Sequence, residues 1–215
     1  MLNKTAAFFS YALHPIFVPV YGYSIILFTN NYYSYFFSLK VKLLLLSIAF
    51  TFTCILPLLN LFILKRLKLI RSVTLDEQKQ RTFPYIVTSV FYIGMVYLIW
   101  DFSIPFIFKS LILAGAACIA LTALINIKWK ISAHMMGIGG LSGAAVFISL
   151  ILRQNFLVLI CILFAFSGAL AFSRLQLKAH SPAQVYAGFV IGSVFTFLFL
   201  FVMYIVALHF LTGNI

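Results

Sequence analysis

Residues 43–64, LLLLSIAFTFTCILPLLNLFIL, run without a single Asp, Glu, Lys, Arg or His. A helix needs ~20 apolar residues to cross the hydrocarbon core of a bilayer, so this stretch is long enough to span one and too greasy for the surface of a soluble domain. Runs of similar character fill 9–28, 83–100, 106–126, 135–152, 156–172 and 185–211. The chain is therefore predicted to be all-α, a polytopic integral membrane helical bundle of six to seven transmembrane helices. It forms a single membrane domain over 1–215, because no connection is long enough to fold separately. Trp100, Trp129 and the cluster Tyr32, Tyr33 and Tyr35 fall at segment ends, where amphipathic rings favour the headgroup layer. The first helix, 9–28, is expected to kink at Pro15 and Pro19. It is read as retained, since no small-residue cleavage site follows its apolar stretch.

Charge narrows the partners. The formal net charge is +12, from 15 Lys and Arg against 3 Asp and Glu. The cations are scattered between apolar segments and do not build one basic domain, so membrane lipids and not nucleic acid are the expected partner. Asp76, Glu77 and Asp101 are the only acids, too few for a clustered magnesium site. No metal and no cofactor are expected. Cys54, Cys118 and Cys161 each lie in an apolar run without CxxC spacing and read as packing residues.

Threading the segments through a bilayer divides the polar stretches between two faces. Lys4, the loop KRLKLIRSVTLDEQKQRT (65–82), the turn KWKISAH (128–134) and the stretch from Ser173 share one face, with 11 of the 15 cations. The 29–42 loop, the Asp101 turn, Lys109, Arg153 and the C-terminus share the other. Charge bias alone would put the first face in the cytoplasm, but cations that serve a site are not free votes on orientation.

On the first face, SRLQLKAHSPAQVYAG (173–188) carries Arg174, Lys178 and His180 into a helix start: Ser181 at the N-cap, Pro182 at the first helical position and Gln184 three residues after the cap. His134 likewise follows Ser132 and precedes the apolar run MMGIGGLSGAAVF. Both histidines stand at helix N-termini, where unpaired N–H groups and the helix dipole favour an anion such as phosphate. Arg81 and Arg174 offer planar forks of donors to phosphate oxygens. A neutral histidine there can attack phosphorus, and a second can protonate the leaving alkoxide and then activate water.

SRLQLKAHSPAQ resembles the third signature of the type-2 phosphatidic acid phosphatase family, SRxxxxxHxxxD, at Ser173, Arg174 and His180. KISAH is similar to its second signature, PSGH, at Ser132 and His134, with Ile131 and Ala133 in place of proline and glycine. Of the first signature, KxxxxxxRP, Arg81 fits, proline comes late at Pro84, and Thr74 occupies the lysine position, for which Lys79 is a substitute. The resemblance spans about 74–192, within a phosphatase-like core of about 65–211. It implies His180 as nucleophile, His134 as general acid, and Arg81, Arg174, Lys79, Ser132 and Ser173 as phosphate ligands. Gln184 stands where most members have the aspartate that orients the nucleophile; dolichyl-diphosphatase-like branches carry glutamine there. The implied activity is metal-independent hydrolysis of a phospholipid or polyprenyl phosphate or diphosphate through a phosphohistidine. The implied location is a bacterial cell (inner) membrane, with the side of the active face, the lipid and the number of copies open.

Quieter readings stand beside these. Gln184 can be the reciprocal half of a capping box, compatible with an orienting role. Arg174 and Lys178 can be interfacial cations. Asp76 and Glu77 are expected to cap a helix or pair with Lys79 and Arg81, and His14 and His209 to be interfacial. Gly139 with Gly143, and Gly188 with Gly192, read as close helix contacts. Two other functions remain: a non-catalytic lipid-binding or transport protein on the same scaffold, and an intramembrane serine protease using Ser142 of GLSG. The second is weakened by His134 lying on the same helix, ~12 Å away along its axis.

Overall fold

The computed structural model describes residues 2–212, which are helices and short connections with no strand among them. The N-terminal span is two helices, α1 (Leu2–Ala12) and α2 (Val18–Phe28). A residue ahead of proline is pushed out of the helical region, and His14 before Pro15 is extended, with φ −64° and ψ 136°. One 3₁₀ turn, Pro15–Phe17, leads into α2. Pro19 does not kink the span as expected, because it sits in the first turn of α2, where its missing N–H breaks no helical bond.

After the short α3 (Tyr32–Phe36), α4 (Leu39–Phe50) and α5 (Leu56–Arg66) make one span interrupted by a π-helical turn at Thr51–Ile55. Pro57 follows directly; it has no N–H for the Thr53 carbonyl, and the wider turn absorbs the mismatch. Helix α6 (Thr82–Leu98), in the place of the expected 83–100 segment, has 17 residues, at the short end for crossing. Then come α7 (Phe106–Lys128), α8 (Ala133–Leu150), α9 (Leu157–Gln176) and α10 (Pro182–Thr212). Among the described residues six stretches are long and apolar enough to cross a membrane: Leu2–Phe28, Leu39–Arg66, Phe106–Lys128, Ala133–Leu150, Leu157–Gln176 and Pro182–Phe210. The protein is an all-α integral membrane bundle. Met1 and the terminal residues 213–215, expected on the two faces, lie outside the described residues.

Helix α8 is the axis, packed against α10, α9, α7 and α2. Its seam with α10 is made of glycine on both sides. A Cβ added at Gly139 or Gly143 would run into the carbonyl oxygen of Phe189 or Ser193, and one at Gly192 into that of Met136. The Ser193 hydroxyl donates to the Gly139 carbonyl at 3.0 Å across the gap. The two glycine pairs read as close contacts are thus facing halves of one seam. The two helices run parallel in register, which sets the start of α8, with His134, beside the start of α10.

Candidate active site

Beneath the polar face opens a cavity of about 210 Å³, walled by α2, α5, α6, α7 and α8. His14, Arg81, His134, Arg174 and His180 line its polar end. Its walls then become mostly apolar, with Thr88, Thr122 and Thr196 among them, down to Ala144, ten residues past His134 on α8 and so ~15 Å deeper. An aromatic cluster closes the far end: Phe108 packs edge-on against Tyr23, Tyr33 and Phe37, and the Tyr23 hydroxyl donates to the Phe108 carbonyl at 2.8 Å.

The loop before α6 delivers Arg81. Gln78 and Asn126 hold each other reciprocally, Gln78 Nε2 to the Asn126 carbonyl at 2.6 Å and Asn126 Nδ2 to the Gln78 carbonyl at 2.9 Å. That clamp pins the loop on α7 and turns Arg81 inward, 6% exposed, with Nε donating to the Leu75 carbonyl at 2.6 Å. Lys79, one residue past the clamp, is exposed and does not line the cavity; Thr74 does. Glu77 pairs at 2.5 Å with Arg71, and not with Lys79 or Arg81 as expected. Asp76 accepts from the Thr74 hydroxyl at 2.7 Å.

Arg174 and His180 are delivered by the end of α9. The Ala179 N–H returns to the Arg174 carbonyl at 3.1 Å and the Lys178 N–H to the Leu175 carbonyl at 2.9 Å, with Lys178 in the left-handed region at φ 51°. This is a Schellman turn, and it reverses the chain toward α10. His180 is 8% exposed. Its Nδ1 lies 3.1 Å from Gln184 Oε1 and 3.2 Å from the Lys130 carbonyl. Both atoms can only accept, so Nδ1 carries the proton and Nε2 keeps its lone pair. Gln184 Oε1 also accepts from the Ser181 N–H at 3.1 Å, while the Gln184 N–H points to Ser181 Oγ at 3.4 Å. The capping box and the orienting bond are thus made by the same side chain.

Electrostatics suit an anion. Burial above all, with the Arg81, Arg174 and Lys130 charges, pulls the His180 imidazole down to about 4 against the upward effect of the Gln184 bond. His180 is therefore neutral at pH 7. Burial and Arg81 also lower the Lys130 ammonium. Among the described residues the only ion pair is Arg71 with Glu77, so neither Arg81 nor Arg174 has a carboxylate partner. Arg174 Nε is buried with no hydrogen-bond partner among the described residues. We expect ¹⁵N-histidine NMR in detergent to give His180 a midpoint near 4 in the ligand-free protein. In Gln184→Glu a carboxylate beside the ring should raise that midpoint by 1–3 units, roughly the effect of an adjacent opposite charge; an unchanged midpoint would mean that residue 184 does not touch the imidazole.

Other expected ligands lie elsewhere. Ser173 is fully buried, and its hydroxyl is spent on the Ala169 carbonyl of its own helix at 2.8 Å. Ser132 is also fully buried at the N-cap of α8; its backbone N–H reaches the Gln184 carbonyl at 3.4 Å, and its hydroxyl makes no cap bond and does not line the cavity. Ser142 donates back to the Ile138 carbonyl at 2.9 Å and lines no cavity wall. His14 is the residue that sequence reasoning missed: it lines the cavity, with its ring edge-to-face on His134 at 4.9 Å between centroids. Its signal was a His-Pro pair on the same face as the other histidines. Cys54 and Cys118 are buried as expected, whereas Cys161 is exposed on α9. Among the described residues no three His, Cys, Asp or Glu side chains are grouped to hold a metal ion.

Comparison of the chain with family models, with curated proteins and with solved structures gives no match.

Proposed function

We propose that the protein hydrolyses the phosphate ester or diphosphate of a membrane lipid in a bacterial cell membrane, with His180 as nucleophile. The observation that carries this reading is the pair Arg81 and Arg174, without carboxylate partners, beside an imidazole whose Nδ1–H is held and whose Nε2 is free. Buried charges are stable only when paired, and a phosphate dianion between the two forks would pair both. The apolar depth below them supports a lipid tail as the other half of the substrate.

The Nε2 lone pair of His180 attacks phosphorus, and the bond from phosphorus to the ester oxygen breaks with its electrons on oxygen. His134, which takes up a proton on Nδ1 when the phosphate dianion lies beside it, gives that proton to that oxygen. The arginines hold the equatorial oxygens through the transfer. Water then attacks the phosphohistidine, His134 Nδ1 takes a proton back, and phosphate leaves with His180 neutral again. Gln184 holds the His180 ring but brings no charge to the imidazolium-like phosphohistidine, the task of the aspartate in most members of the family the motifs resemble.

Purified protein in detergent should release phosphate from at least one of phosphatidic acid, phosphatidylglycerol phosphate and a polyprenyl diphosphate, with chelator present and with vanadate as inhibitor. Binding of these lipids without release from any of them would sink the phosphatase reading and leave the lipid-binding one. Reporter fusions at both sides of α8 assign the face.

A further inference from the structure

The N-terminal span lies outside the stretch that resembles a phosphatase, yet it touches two groups of the site, His134 and Arg174. In an unbroken helix the Ser10 carbonyl would accept from the His14 N–H, four residues on. Pro15 takes His14 out of the helix, and the final carbonyls of α1 are left to find other donors. Phe9 keeps its ordinary helical partner, the Leu13 N–H at 2.9 Å, while Tyr11 accepts from the His14 N–H at 3.3 Å and Ala12 from the Tyr21 hydroxyl at 2.6 Å. The Ser10 carbonyl is left to His134 Nε2, at 3.2 Å.

We propose that Ser10 is a positioning residue for the site, with its carbonyl setting the His134 tautomer and its hydroxyl setting the Arg174 fork. A carbonyl can only accept, so the His134 nitrogen facing it carries a proton, and Nδ1 is the atom left for proton traffic with a ligand. Ser10 Oγ accepts from Arg174 Nη1 at 3.2 Å. That bond anchors one corner of the guanidinium and leaves the others, including the unpartnered Nε, for an anion. His14 completes the support: its ring meets His134 edge-on, and its own Nδ1 accepts from the Ile16 N–H at 3.3 Å. Ser10 itself is 6% exposed, so this is an internal contact.

The inference rests on the reading of the cavity as a phosphate site, and two variants test it apart from catalysis. Pro15→Ala lets the His14 N–H compete for the Ser10 carbonyl, whereas Ser10→Ala keeps the carbonyl and removes only the hydroxyl. ¹⁵N-histidine NMR of the full chain in detergent should show His134 protonated on Nε2 in the wild type and in Ser10→Ala, and a tautomer mixture in Pro15→Ala. Inorganic vanadate, titrated by the same signals, should bind roughly tenfold more weakly to Ser10→Ala, the loss of one bond to a charged group. His134 protonated on Nδ1 alone in the wild type would overturn the first half, and unchanged vanadate affinity in Ser10→Ala the second. If Pro15→Ala does not fold, the wild-type tautomer and Ser10→Ala still decide. Where these results hold and no lipid is hydrolysed, the phosphatase reading fails and the positioning role stands.

Discussion

Replacing His180 by alanine is expected to slow phosphate release from a lipid phosphate by about 10⁴-fold or more, the scale seen when a covalent nucleophile is removed. The other histidines at the polar end are occupied, His14 by the Ile16 N–H that its Nδ1 accepts at 3.3 Å. His134 has its Nε2 on the Ser10 carbonyl, and its Nδ1 is needed for proton transfer. Cys118 is buried among apolar residues deep in the wall. The residual rate would come from Arg81 and Arg174 holding phosphate while His134 assists water. The fold should survive, because the lost contacts are the Gln184 and Lys130 acceptors at the cavity edge, about 1–3 kcal/mol together. Steady-state phosphate release and thermal unfolding, measured on the same detergent sample, check both halves. A variant that keeps a tenth of the activity would rule out His180 as nucleophile.

The helices were legible because apolar runs of membrane length have one stable conformation in lipid, where every backbone group must be bonded within the segment. The convergence of Arg81, His134, Arg174 and His180 followed from counting crossings between polar stretches. What the sequence did not reveal were contacts decided by local backbone geometry. Ser132 and Ser173 match a signature by spacing, but a serine inside a helix turns its hydroxyl to a carbonyl four residues back, as Ser173 does to Ala169, and Ser132 at the N-cap of α8 is buried away from the cavity. Lys79 depends on which residue of a short turn points inward, and the Gln78–Asn126 clamp gave that place to its neighbours. His14 was hidden for a different reason. It sits some 120 residues from His134 in the chain, and only the break at Pro15 folds it under α8.

Gly143→Leu is expected to unfold or badly loosen the bundle, by about 4 kcal/mol or more, the range of mutations that force backbone apart. The new side chain begins where the Ser193 carbonyl already is, and a backbone oxygen cannot rotate away as a side chain can. Helices α8 and α10 would have to part along their whole parallel seam, since Gly139 and Gly192 make the same contact nearby. Association of helices in lipid depends on this close packing, because lipid tails are as apolar as the helix surface itself. The matched control is Gly168→Leu on α9, where an added Cβ meets nothing within 4 Å. Thermal unfolding followed by size exclusion in detergent should show a fall of roughly 10 °C or more for Gly143→Leu, at about 2–4 °C per kcal/mol for a chain of this size, and no measurable change for Gly168→Leu. Gly143→Ala should lie between the two. In that milder variant the seam opens just below the starts of α8 and α10, so the His134 and His180 signals should shift together while those of His209 stay in place. Equal melting of Gly143→Leu and Gly168→Leu would mean that the glycine seam does not hold the two histidines in register.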